Sequence, residues 1–167
     1  MSDYKIACFD AYYHKNYAKT CCILFETEPI EKSILEYCRI TKPAGRYIPG
    51  EFYKRELPGI LEAYREIEGD INLIMVDGYV LLKDGKMGLG GHLYKALGGG
   101  ISVIGIAKSY YINSKNCVKI YRGKSKRPLY ISSIGIEINC AANLVRNLNG
   151  KYRIPDILKR VDRLTRS

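Results

Sequence analysis

The segment "LIMVDG" at 73–78 constrains the fold more than any other stretch of this chain. Four consecutive apolar residues, Leu73, Ile74, Met75 and Val76, stop on Asp77. Successive side chains of a strand point to opposite faces, so an unbroken apolar run needs cover on both faces. That describes a central strand in a sheet with helices on each side. Two other runs behave alike. Ile6, Ala7, Cys8 and Phe9 stop on Asp10, and "SVIGIA" at 102–107 stops on Lys108. The sequence therefore predicts buried strands that deliver charged side chains at the point where the chain leaves the sheet.

The remaining pattern fills in around them. Segments 4–13 and 17–26 are β-rich, and the short link His14-Lys15-Asn16 suits a hairpin. A third strand is expected over 30–40, before the break at Lys42-Pro43-Ala44-Gly45. Leu57, Ile60, Leu61, Tyr64 and Ile67 recur at helical spacing, with Pro58 fitting a first turn and Gly69 an end. This reading puts Glu56 at or just before the helix start. A glycine-weakened helix is expected over 86–97, stopped by Gly98-Gly99-Gly100. Segments 117–121 and 129–134 predict a hairpin around a basic loop, and two helices are expected over 139–148 and 156–165. Early hairpins followed by alternating helices and strands make an α/β fold, with a mixed central sheet flanked by helices, in a single domain of 167 residues.

If the strands ending on Asp10 and Asp77 are neighbours, their carboxylates converge at one sheet edge. Two such groups repel and lose solvation, and a divalent cation between them removes both costs. Hard oxygen donors suit Mg²⁺ or Mn²⁺, with Glu56 completing the set. The bland alternative is a capping or solvated acid at each position. Asp162, beside the apolar Ile157/Val161/Leu164 face of the last helix, could reach the cluster or pair with Arg166 four residues on. Lys108 suits a phosphate or a metal-bound water.

Charge placement names the partner class. The formal net charge is +10, yet residues 119–167 hold twelve Lys or Arg against three acids, while the rest is nearly neutral. A basic third on a neutral body points to a polyanion, with nucleic acid first. Fifteen Tyr and no Trp supply rings that can stack on unpaired bases. No stretch approaches the ~20 apolar residues of a membrane span, and the opening Met1-Ser2-Asp3-Tyr4-Lys5 has no apolar leader region. The expectation is a cytoplasmic, monomeric protein without a membrane partner. Its six cysteines form no CxxC pair and are expected as small core residues rather than disulfides or zinc ligands.

Several segments resemble the endonuclease V family. "RYIPGEFYKRELPGILEA" at 46–63 looks like its wedge and catalytic-glutamate region. "LIMVDG" at 73–78, with "GLGGHL" at 88–93, is similar to its second aspartate block, "VIGIAKS" at 103–109 to its lysine strand, and "RIPDILKRVDRL" at 153–164 to its terminal helix. "CFDAYY" at 8–13 matches the first aspartate strand loosely. The resemblance implies an RNase H-like fold and a Mg²⁺-dependent endonuclease, Mn²⁺ being an alternative. The activity implied is DNA repair: hydrolysis of a phosphodiester bond on the 3′ side of deoxyinosine, one nucleotide beyond the lesion. By the same resemblance Asp10, Glu56 and Asp77 would hold metal, with Asp162 near a second ion. Lys108 would approach the scissile phosphate or the nucleophilic water, and His92 would serve the active centre. Tyr47, Ile48, Pro49 and Gly50 would form a wedge filling the gap left by a flipped base. Gly78 would let substrate approach, and Arg122, Lys124, Lys126 and Arg127 are expected to contact nucleic acid.

The chain departs from that family between Asp77 and His92. Val80 stands where the family has a second glycine, and Lys83-Asp84-Gly85 replaces a His-Pro-Arg triplet. Val80 is expected to add bulk where the base enters, and Gly90-Gly91 to make a softer loop. These changes touch the pocket rather than the metal ligands. An inosine-directed RNA endonuclease and an inactive nucleic-acid-binding module therefore remain alternatives.

Overall fold

The strand that dominates the sequence sits at the centre of the sheet. The structure is a computed structural model of the chain, and it describes residues 4–28, 30–42, 46, 48–49 and 51–167. Seven strands, β1 (Lys5–Tyr13), β2 (Ala18–Glu26), β3 (Lys32–Thr41), β4 (Leu73–Asp77), β5 (Ser102–Ala107), β6 (Val118–Ile120) and β7 (Leu129–Ile134), form one sheet in the order β3-β2-β1-β4-β5-β7-β6. β4 runs parallel to both β1 and β5, and the other pairings are antiparallel. Its four apolar residues serve both faces. Leu73 and Met75 pack on the side of α3 (Ile138–Arg146) and α4 (Asp156–Arg166). Ile74 and Val76 pack on the side of α1 (Tyr53–Tyr64) and α2 (Leu89–Ala96).

Two expectations shift in detail. β1 does not end on Asp10. It continues to Tyr13 against β2, and only its parallel ladder with β4 stops, at Phe9 and Val76. α1 begins at Tyr53, so Pro58 lies inside the helix and Glu56 in its first turn. Pro58 cannot donate to the Lys54 carbonyl one turn back, but both residues are exposed, so water can serve that acceptor.

The cysteine expectation fails at one pair. Cys21 on β2 and Cys38 on β3 face each other in the antiparallel ladder and form a disulfide. Cross-strand opposition, invisible in a seventeen-residue separation, brings the sulfurs together. Cys8 and Cys22 are buried and free, as expected of core residues. Among the described residues, no helix is long and apolar enough to cross a membrane.

Candidate active site

Sheet register decides which acids meet. Cys8 pairs with Met75 across the β1–β4 ladder, so Asp10 and Asp77, two residues on in each strand, leave the sheet at the same level. Cys8 and Met75 lie on the α3/α4 side of the sheet, and residues two apart share a face. Ile106 is paired with Asp77, and Lys108 follows two residues beyond it. α4 crosses this side and brings Asp162 above the strand ends. Asp10, Asp77 and Lys108 line one narrow crevice with Leu158 and Val161 of α4. Glu56 arrives from α1, on the opposite side, and reaches around the rim. A cleft of about 350 Å³ is lined by Asp10, Tyr13, Arg55, Glu56 and Asp77.

These carboxyls are starved of water and crowded by like charge. Burial pushes Asp10 up to about 7; Asp77 and Asp162 add to the rise, while the Ala11 N–H, 2.9 Å from Oδ1, and Lys108 oppose it. Burial pushes Glu56 up to about 8, with Asp10 and Asp77 adding to it. Tyr13 and Arg55 oppose that rise. The Tyr13 hydroxyl steadies the Glu56 charge without a well-formed hydrogen bond, and the Arg55 guanidinium lies 3.9 Å over the Tyr13 ring. Asp77 keeps surface open to solvent, yet the surrounding protein excludes enough water to raise its carboxyl, an effect Lys108 counters. Among the described residues, no group of three or more His, Cys, Asp or Glu is drawn close enough to hold a metal ion. The carboxyls share a cleft and a field.

Asp162 forms the ion pair with Arg166, one of the two alternatives read from the sequence. Arg166 Nε donates to its two oxygens at 3.0 and 3.1 Å, and the same carboxylate raises the pKa values of Asp10 and Asp77. The last turn of α4 is tied to the β1–β2 hairpin: Arg166 stacks over Tyr12, and the His14 ring meets the Thr165 carbonyl at 2.9 Å.

A second cavity of about 190 Å³ adjoins the acid cleft through Phe52 and Leu89, with mainly apolar walls including Pro49, Tyr53, Gly78, Tyr79 and Tyr111. Gly78 adopts φ +125°, a conformation that a side chain would strain, and turns the chain from β4 into this wall. Ile48 and Pro49 are exposed near its mouth, while Tyr47 and Gly50 lie outside the described residues. His92 is not gathered with the carboxyls. Its ring stacks on Tyr53 with centroids 3.6 Å apart, and burial and Lys95 hold its pKa below the usual value.

Val80 does not crowd this cavity. It is buried and turned under α2, where a Cβ on Gly90 would come within 2.8 Å of its side chain. Gly90 and Gly91 belong to α2 and are small because Val80 and Met87 occupy the space beside them. Lys83-Asp84-Gly85 makes a tight turn, with Leu82 N donating to Lys86 O at 2.8 Å. Asp84 and Gly85 both have positive φ there, as expected for such a turn.

Arg122 corrects another expectation. It is buried, and its guanidinium donates to the carbonyls of Arg146, Leu148, Gly150, Tyr152 and Arg153, so it is not presented to a ligand. Lys124, Lys126 and Arg127 are exposed. Arg153, which the sequence reading did not single out, donates to the carbonyls of Lys108, Arg127 and Pro128 and so fixes the backbone that carries Lys108. Tyr13 and Tyr79 were missed too, because a lone tyrosine gives no signal in the sequence, and Arg55, inside the 46–63 segment, was given no role of its own.

The chain is similar to known proteins in sequence and in fold. A sequence model described as Endonuclease V matches residues 2–126. Endonuclease V of Nostoc punctiforme is 28% identical over 138 residues, covering 71% of this chain and 62% of that protein. The chain thus spans less than two thirds of the length of such relatives. Among solved structures, endonuclease V of Ciona intestinalis, in complex with a 24mer DNA containing an inosine followed by a ribo-adenosine, superposes with a TM-score of 0.85. Its identity is 18%, covering 99% of this chain and 85% of that one. The Streptomyces avermitilis enzyme superposes at 0.80 with 21% identity, covering 97% and 79%. The fold is therefore RNase H-like, and the chain belongs to the endonuclease V family.

Proposed function

We propose that this chain is a divalent-metal-dependent endonuclease that hydrolyses a phosphodiester bond 3′ to a deaminated base, deoxyinosine in DNA. One observation carries the proposal: Asp10, Asp77 and Glu56 line one cleft, crowded and without full compensation, beside a mainly apolar cavity of about 190 Å³. Groups kept so far from their ordinary state persist where a site uses them. Carboxylates that raise one another's pKa values are the donor set a hard cation favours, and side-chain rotation is the freedom needed to bring their oxygens onto it. Asp10, Asp77 and Glu56 would hold Mg²⁺ or Mn²⁺, with Asp162 at the border. When bound, such an ion supplies a more acidic water and electrostatic relief for the charge gathering on the phosphate.

The chain's own residues do the rest. Lys108 faces the crevice between Asp10 and Asp77, where it would meet the phosphate. Arg153 keeps it there. Tyr13 and Arg55 offset part of the cost of burying a Glu56 charge. Ile48 and Pro49 would fill the gap in the base stack, and the cavity beside Gly78 and Tyr79 would receive the extruded base, which costs less when it is mispaired. Lys124, Lys126 and Arg127 would meet the backbone. The DNA carried by the Ciona intestinalis relative places a ribonucleotide after the inosine, which sets the substrate series. Oligonucleotides carrying inosine in DNA, inosine in RNA, or inosine followed by one ribonucleotide are incubated with Mg²⁺, with Asp77→Ala as control. Cleavage of the DNA strand by the parent protein alone is expected. Cleavage only where a 2′-hydroxyl is present would reassign the substrate to RNA, and salt-sensitive binding with no cleavage would leave a binding module.

A further inference from the structure

We infer that Tyr110, with Tyr130 and Lys119, forms a stacking platform for an unpaired nucleotide next to the flipped base. This rests on the nucleic-acid reading above and adds a subsite to it. Tyr110 is 62% exposed, yet its backbone is clamped. The Tyr79 hydroxyl donates to the carbonyl of Ser109 and accepts from the N–H of Tyr111 at 3.1 Å, so both neighbours of Tyr110 are tied to one side chain. The divergent 79–87 segment braces the same loop further on. Lys83 N donates to Asn113 O at 2.7 Å, and Lys115 N to Leu81 O at 3.2 Å. An exposed aromatic ring on an immobilised loop adds little to folding and is already ordered for a ligand.

Its position says which ligand. Tyr79, Leu82 and Tyr111 line the apolar cavity, and Tyr130 packs against the cluster that holds Tyr79 and Leu82. The Tyr110 ring stands 5.8 Å from that of Tyr130. Tyr130 thus links the cluster that lines the cavity to the exposed Tyr110 ring. Lys119 is opposite Tyr130 in the β6–β7 ladder and is exposed, as is Lys115. Rings that end in solvent beside ammonium groups fit the two parts of a nucleotide, its flat base and its phosphate. Bases inside a duplex have no free face to offer, so the occupant is unpaired strand.

The test uses fluorescence anisotropy with a fluorescein-labelled, inosine-free oligothymidylate and a duplex of equal length. Tyr110→Ala weakens single-strand binding roughly tenfold with little change on the duplex. Tyr110→Phe, which keeps the ring, stays within twofold of the parent. The salt dependence of Tyr110→Ala matches the parent, whereas Lys119→Ala lowers the slope by about one. Single-strand binding by Tyr110→Ala within twofold of the parent overturns the platform, as does an equal loss on duplex. Cleavage of inosine strands is followed in parallel. If the parent cuts them while Tyr110→Ala binds normally, the platform alone falls. If ring-dependent binding occurs without cleavage, the nuclease reading falls and the platform stands.

Discussion

Two regions of this molecule bury charge, and they treat it in opposite ways. Around Arg122 every visible need is met: one guanidinium serves five carbonyls left over at the end of α3 and in the following loop. Around Asp10, Glu56 and Asp77 the needs conflict. Three carboxyls are deprived of water, repel one another, and receive partial relief from Lys108, Tyr13 and Arg55. Buried charge that is satisfied holds a fold together, whereas buried charge left wanting costs stability and is kept for something that arrives later. Arg153 joins the two regions. It is satisfied in the manner of Arg122, but one of its acceptors is the carbonyl of Lys108.

The contrast can be broken most directly at Asp77. Asp77→Asn is expected to lower cleavage on the order of a thousandfold while leaving the metal-free melting temperature equal or higher, because a repelling charge is removed. A lower melting temperature would move Asp77 into the satisfied class. Arg122→Met should do the reverse, costing about 3 kcal/mol of stability in urea unfolding with cleavage per folded molecule unchanged. Next comes acidity. In EDTA the folded chain keeps Asp10 and Glu56 protonated up to about 7 and 8, against ordinary values of 3.8 and 4.5. The folded state then binds more protons than the unfolded one inside that window, so stability is greatest near its acid end and falls as pH rises through 7 and 8. A decline of several kcal/mol across the window is expected; Mg²⁺ should flatten it and Glu56→Gln should remove about half of it. Arg153→Lys keeps the charge but loses the fork of donors. It should reduce kcat about tenfold with KM nearly constant, as single-turnover kinetics would report. The smallest effect belongs to Val80→Ala, about 1 kcal/mol in thermal unfolding with the preference for inosine over guanine unchanged.

The central sheet was legible because β4, β5 and the first half of β1 are buried on both faces, and burial writes itself as an apolar run. The convergence of Asp10 and Asp77 followed from it. Other features depend on what lies across from a residue rather than beside it. β1 passes Asp10 because β2 still pairs with it after β4 has left. Arg122 reads as one more basic residue in a basic loop until the chain folds its carbonyls around it. Val80 looks like an obstruction in the base pocket when only its place in a motif is known, and like core once α2 is laid over it. Cys21 and Cys38 needed the β2–β3 register. Local pattern reports burial and period, whereas partnership is a property of the assembled sheet.

The fit of Val80 beneath Gly90 has a consequence for how such a chain changes through descent. A valine at one position and a hydrogen in place of a methyl at the other fill a single space. A lineage that restores glycine at 80 opens a hole unless 90 enlarges, and one that enlarges 90 first meets a clash. The two positions are therefore expected to change together, and substitutions at one alone should be rare among its kin.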